Sequence, residues 1–237
     1  MKSSRKITVI TNLILIVVFT AVFAVSFFPQ AYLPIYGGKS INAVYNGNRE
    51  NPNVSLMFNV YENTEIVNSI IDVLNEKGAK ATFFVGGCWA DDNERTLNRI
   101  VAEGHELANH GYFHKDHKTL SYEVNRQEIE NTAIIVKALC GAKLNLFAPP
   151  SGSFSDTTLT VASELGYRVI MWSKDTIDWR DKNEKTVFTR ATKNLTNGDL
   201  VLMHPKSHTL SALPSILDYI KNNGLNAVTV TENLDGV

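Results

Sequence analysis

From Val54 onward the chain alternates two kinds of apolar spacing, and that alternation limits the possible fold more than any other feature. VSLMFNV (54–60) is a short apolar run with strand character. TEIVNSIIDVLNEKG follows, with Ile66, Val67, Ile70, Ile71 and Leu74 at helical spacing and Gly78 just past the end. ATFFVGG reads as the next strand. NERTLNRIVAEG is the next helix, with Leu97, Ile100 and Val101 on one side and Gly104 closing it. The rhythm continues through the strand-like HELANH, the long helix SYEVNRQEIENTAIIVKALCG ended by Gly141, and LNLFAPP, stopped by two prolines. SDTTLTVASELG opens with Ser155 as N-cap and Asp156 in the first turn. YRVIMW, DLVLMH and LNAVTV are further strands, separated by helical stretches near 183–195 and 209–222.

Such alternation requires right-handed crossovers and a parallel sheet covered by helices. An open doubly wound sheet and a small barrel both satisfy it. The polar residues separate the two, because Asn59, His110, Pro149–Pro150, Asp175–Asp178 and His204 each fall just past the end of a different strand. Convergence of polar groups from many strand ends is what the C-terminal face of a barrel offers. The span is short for eight repeats, so residues 54–237 are predicted to form a distorted, incomplete (β/α)7-type barrel of the α/β class.

The other end of the chain sets a location. MKSSRK carries Lys2, Arg5 and Lys6, and residues 7–28 then run without a charged side chain. At 1.5 Å rise per residue about 20 apolar residues span a bilayer. The basic flank places residues 1–6 in the cytoplasm, 7–28 as one transmembrane helix, 29–53 as a stalk and entry segment, and the domain outside the cell membrane. A cleaved signal peptide is the rival reading, although Ala24 and Ser26 make a poor cleavage site. The net charge of −1 becomes about −4 without the three leading basic residues, which argues against nucleic-acid binding. No P-loop, Gly-rich dinucleotide turn or Cys-x-x-Cys pair occurs. Cys88 and Cys140 could form a disulfide in an exported domain or remain buried thiols.

Six histidines fall into two clusters. NHGYFHKDH (109–117) holds three, with His105 just upstream, and His204 and His208 lie near the C-terminus. If the segment after the strand turns helically, His110 and His114 share a face and form half of a transition-metal site. Such a site normally adds a third protein ligand and an open position. His204 ends LVLMH, where an imidazole on a barrel rim suits general acid–base work. KDTIDWRD supplies Asp175 and Asp178, either of which can orient that ring, beside Trp179.

VSLMFNVYE, GHELANHGYFH, FAPPSGSF, WSKDTIDW and LVLMH resemble, in order, the five motifs of the polysaccharide deacetylases, the nodulation-protein-B-like carbohydrate esterases, from about Val54 to Leu234. The resemblance implies metal-assisted removal of N-acetyl groups from peptidoglycan or chitin-type glycans, with a divalent ion, usually zinc, held by an aspartate and two histidines. It makes His110 and His114 the metal ligands, His204 the acid and Asp175 or Asp178 its orienting carboxylate. Pro149, Pro150 and Gly152 would shape the groove wall, and Trp179 and Trp89 are candidates for stacking on sugar faces.

Two motifs depart. Where the family has Thr-Phe-Asp-Asp, this chain has Met57-Phe58-Asn59-Val60, so the catalytic-base position is Asn59 and the metal-carboxylate position is Val60. The arginine that precedes Pro-Pro in the family is Ala148 here. These losses are physically linked, because removing only one partner of a buried ion pair strands a charge at a cost of ~3–5 kcal/mol. Glu62, Glu65, Asp116 and His117 lie near the motif ends as possible substitutes. Two expectations follow. One is a membrane-anchored hydrolase, a cell-wall polysaccharide N-deacetylase with a modified metal site and an unknown third ligand. The other is a catalytically impaired module that keeps the groove for glycan binding or a structural role.

Overall fold

The computed structural model describes residues 11–20 and 41–236. Residues 11–20 are helical, and Leu13 to Phe19 stand exposed on them. Among the described residues no helix is long and apolar enough to cross a membrane. Most of the segment read as the transmembrane helix, 7–10 and 21–28, lies outside the described residues, as do 1–6 and 29–40 of the tail and stalk.

A second compact unit starts at Ile41 and runs to the C-terminus. Its strands are β1 (Asn53–Val60), β2 (Thr82–Val85), β3 (Glu106–Asn109), β4 (Leu146–Phe147), β5 (Arg168–Val169), β6 (Lys174–Asp175), β7 (Leu200–Met203) and β8 (Asn226–Ala227). Its helices are α1 (Thr64–Glu76), α2 (Gly87–Asp91), α3 (Glu94–Ala102), α4 (Tyr122–Cys140), α5 (Asp156–Glu164), α6 (Glu184–Thr192), α7 (Ser207–Asn222) and α8 (Val230–Asn233). Seven parallel strands follow the order β5-β4-β3-β2-β1-β7-β6, and β8 pairs with the start of β1. This is the incomplete α/β barrel that the spacing predicts. Between β5 and β7 the entry segment fills in: Val44 bridges Ile170 and Asn46 bridges Asp199.

Because side chains alternate across a strand, each strand feeds two cores. Val54, Leu56, Phe58 and Val60 face the helix layer with Val67, Ile70 and Ile71 of α1. Met57, Phe84, Ala108, Ala148 and Leu200 fill the barrel interior, where Val230 and Leu234 join them. The interior hydrogen-bonds to the same C-terminal segment, through Ser55 Oγ to the Thr229 carbonyl and the Val230 amide to Thr82 Oγ1.

LNAVTV is therefore not one strand. Only Asn226–Ala227 pairs, and Thr229 caps α8, accepting from the Glu232 amide. α2 and β6 are too short to give a periodic signal. Ser155 does cap α5, within a reciprocal capping box with Thr158. Cys88 and Cys140 are free thiols.

Candidate active site

The C-terminal ends of the strands open into a cleft of about 550 Å³, lined among others by Asn59, Tyr61, His110, His114, Trp172 and His204. Asn59 extends the inner face of β1, two residues beyond Met57, and is 6% exposed. Its neighbour Val60 points the other way, into the apolar layer beneath the helices.

His110 follows β3 and is buried. Its Nδ1–H donates to the Ala148 carbonyl at 2.7 Å, which leaves Nε2 as an acceptor. Burial, reinforced by the neighbouring His114, pushes its pKa down to about 3. The expected helical turn between His110 and His114 does not form. Gly111 (φ 73°) and His114 (φ 53°) both take left-handed conformations, and the loop folds back on itself. The two rings still meet, with centroids 5.3 Å apart. Tyr61 packs edge-on against both, 5.0 Å from His114 and 6.3 Å from His110, and its hydroxyl donates to the Tyr112 carbonyl.

This loop is held from below by α4. Glu128, 3% exposed, accepts the Tyr112 and Phe113 amides on Oε2 at 2.9 and 2.7 Å, and Oε1 pairs with Lys115 at 3.0 Å. Asn125 accepts from His117 Nδ1–H at 2.7 Å and donates to the His117 carbonyl. His117 is thus a fully buried support residue that packs on Phe147, 4.9 Å between centroids.

Across the cleft, β7 delivers His204. Its Nδ1–H donates to Asp178 Oδ1 at 2.7 Å, while its amide and Thr209 Oγ1 donate to Oδ2, each at 2.7 Å. Asp178, not Asp175, is the carboxylate that orients His204. Burial acts to raise the Asp178 carboxyl, but hydrogen bonds and charge from His204, with help from Thr209, outweigh it and hold it below the ordinary carboxylate range. His208 Nε2–H donates to the Asp178 carbonyl at 2.8 Å. Asp175 lines the cleft and accepts the Ile177 amide on Oδ1 at 2.7 Å.

Trp179 stands on the rim, 55% exposed, whereas Trp89 is core and donates to Thr64 Oγ1. Pro149 and Pro150 are buried behind the wall, and Ser151 is the residue of that turn that reaches the cleft. Gly152 (φ 65°) sits under Trp172, where a Cβ would lie 2.6 Å from the indole. Tyr61, Ser151, Trp172, Leu202 and Lys206 also line the cleft, and sequence reasoning misses them. For Tyr61 and Trp172 a signal exists, since both directly follow apolar strand runs.

The side chains do not fit the resident ion that the resemblance implies. A catalytic zinc site takes three protein ligands. Among the described residues no three His, Cys, Asp or Glu side chains converge to hold one. The substitutes are engaged elsewhere: Glu62 pairs with Lys206, Asp116 accepts from Ser153 Oγ at 2.6 Å, and Glu65 is exposed on the first turn of α1. Asn59 Oδ1 is buried with no hydrogen-bond partner among the described residues.

Acid should destabilise this fold early. His105 is pushed down to about 4 and His110 to about 3, both chiefly by burial. Unfolded histidines take up protons near pH 6.5, so below that pH the unfolded state binds more protons than the folded one. The unfolding free energy then falls by up to ~1.4 kcal/mol per pH unit for each ring until the folded value is reached. Urea midpoints are expected to drop steadily from about pH 7 to about pH 4.5. A flat profile over that range would contradict the assignment of both rings as neutral.

Residues 46–170 match the polysaccharide deacetylase family, and the chain belongs to it. The uncharacterized protein YlxY of Bacillus subtilis is 34% identical over 192 residues, 81% of this chain. The match covers 60% of YlxY, so this chain spans less than two thirds of that relative's length. A peptidoglycan-N-acetylglucosamine deacetylase of Bacillus cereus is 32% identical over 171 residues, 70% of this chain and 80% of that protein. Among solved structures, a CE4 family pseudoenzyme from Bacillus anthracis superposes with a TM-score of 0.80 at 35% identity, covering 83% of this chain and 70% of its own. A mutant of that pseudoenzyme with restored enzymatic activity has the same TM-score, 0.80, at 34% identity.

Proposed function

We propose that this chain is a glycan-holding member of the polysaccharide deacetylase family, one that binds N-acetylated cell-wall strands in its cleft and does not turn them over. The observation that carries this is Asn59. A carboxamide stands where the family places its base, and an amide takes no proton from water at neutral pH. Losing a positioned base costs ~10²–10⁴-fold in rate. The absence of a third converging ligand among the described residues acts in the same direction. The likeness to a pseudoenzyme, and to a mutant of it described as regaining activity, supports the reading. The glycan class is supported by the peptidoglycan and chitooligosaccharide deacetylases among the relatives.

The chain's own groups suit binding. Trp179 and Trp172 offer flat apolar faces to sugar rings, and Glu62, Lys206 and Asp175 offer hydrogen bonds to hydroxyls. The uncharged run 7–28 behind a basic flank supports membrane anchoring with the barrel outside the cell.

A second reading, slow zinc-assisted deacetylation, is favoured by the intact Asp178–His204 pair. One experiment separates them. The full chain in detergent, given chitotetraose or muropeptides with and without zinc, is expected to bind glycan and release no acetate above buffer. Trp179→Ala should weaken binding about tenfold, the loss of one stacking face. Near-stoichiometric zinc together with acetate release, both lost in His110→Ala, would overturn the proposal in favour of the second reading.

A further inference from the structure

Asp175 closes β6 opposite Leu202 of β7, and it lines the cleft. Its Oδ1 accepts the Ile177 amide at 2.7 Å, within the turn made at Ile177 (φ 53°), so the carboxylate is held in one orientation. Oδ2 takes no hydrogen bond from the described residues and, unlike the Asn59 oxygen, keeps accessible surface.

The cations around it are engaged elsewhere. Lys206 pairs with Glu62, Lys174 turns to the Lys193 carbonyl and Asp199, and Arg180 lays two N–H groups on Asp181 at 2.9 and 3.0 Å. His110 and His204 give their Nδ1–H groups to the Ala148 carbonyl and to Asp178. Among the described residues Asp175 is therefore the carboxylate of the cleft lining that has no counter-charge.

A carboxylate covered by a neutral ligand loses water and gains no opposite charge. An ammonium supplies that charge together with its N–H donors. Trp172 and Trp179 line the same cleft, and indole faces attract cations as well as sugar rings. Charge and lining together select an amino sugar whose nitrogen is free.

We propose, building on the glycan-holding reading above, that Asp175 Oδ2 accepts N–H bonds from a sugar ammonium, so that the strands held most tightly are partly de-N-acetylated. Hydrolysis of acetamido groups by a separate enzyme then precedes binding, and this chain acts on the product of that reaction. Asp175 is the specificity-determining residue.

The test is calorimetry on the full chain in detergent micelles, at mildly acidic pH where sugar amines are protonated. Chitotetraose and its fully de-N-acetylated counterpart are the two probes. The amine form is expected to bind about tenfold more tightly, the effect of one charge-assisted hydrogen bond, and the gap should narrow as salt is raised. Asp175→Asn keeps an oxygen for the Ile177 amide and should abolish the preference. Glu76→Gln removes an equal charge from an exposed position at the far end of α1 and should leave the preference intact. Equal wild-type affinity, or tighter binding of the acetylated form, would overturn this inference and leave the glycan-holding reading in place. A preference that survives Asp175→Asn would also overturn it, since net charge alone would then draw the amines. Binding of neither tetramer would overturn both readings. The wild-type comparison needs no substitution, so it does not depend on whether a variant folds.

Discussion

The double variant Asn59→Asp/Val60→Asp, supplied with zinc, is expected to release acetate from chitotetraose at least ~10²-fold faster than the wild-type chain. Asn59→Asp returns a carboxylate to a cleft that already holds two facing imidazoles and an oriented His204. Val60 needs closer thought, because its side chain lies fully buried in the helix-side layer with Phe58 and Val85. An unpaired carboxylate there costs ~3–5 kcal/mol. The double variant should therefore melt about 10 °C lower without metal and recover when zinc is added. Adding Ala148→Arg inserts a cation at a buried position of the barrel interior, where it can answer the new charge at residue 59. A variant that melts low, ignores zinc and releases no acetate would show that the missing carboxylates are not what silences the site.

Glu128→Ala should be the most damaging single change outside the barrel core. It strips acceptors from the Tyr112 and Phe113 amides and leaves Lys115 without its partner. A loss of ~3–5 kcal/mol is expected for a buried, multiply bonded carboxylate, read as a melting temperature lower by about 10 °C. Because the same loop presents His114 to the cleft, glycan affinity should fall with it. Glu128→Gln retains one acceptor oxygen and should lose less on both counts. If the alanine variant melted within about 2 °C of wild type, the α4 clamp would not be what shapes the loop.

Neither Glu128 nor Asn125 stands out in the sequence. Asn125 sits in the first turn of α4 and Glu128 in the second, among polar residues that a periodicity argument assigns to solvent. Their burial comes from a loop folding over them, which is a tertiary fact. The strand ends are legible because an apolar run that closes on one polar residue marks the rim of a barrel, and Asn59, His110 and His204 stand out that way. How the rings of His110 and His114 meet is not legible. Their spacing of four suggests a helical face, and the chain reaches the same proximity through two left-handed residues, one of them histidine. The choice between Asp175 and Asp178 is likewise closed to sequence, since it turns on which carboxylate a short turn at Ile177 (φ 53°) leaves facing β7. The short β6 and α2 carry too few residues for any period to register.

The ribbon ahead of β1 has a role of its own. Val44 clasps the β5 edge, Asn46 and Gly47 clasp the turn before β7, and Arg49 closes an ion pair with the enclosed Asp199 carboxylate at 3.1 Å. What looks like a lead-in is the fastener of the ring. A polypeptide begun at Val54 would leave that seam open on the side that carries His204, and the compact unit accordingly begins thirteen residues sooner, at Ile41.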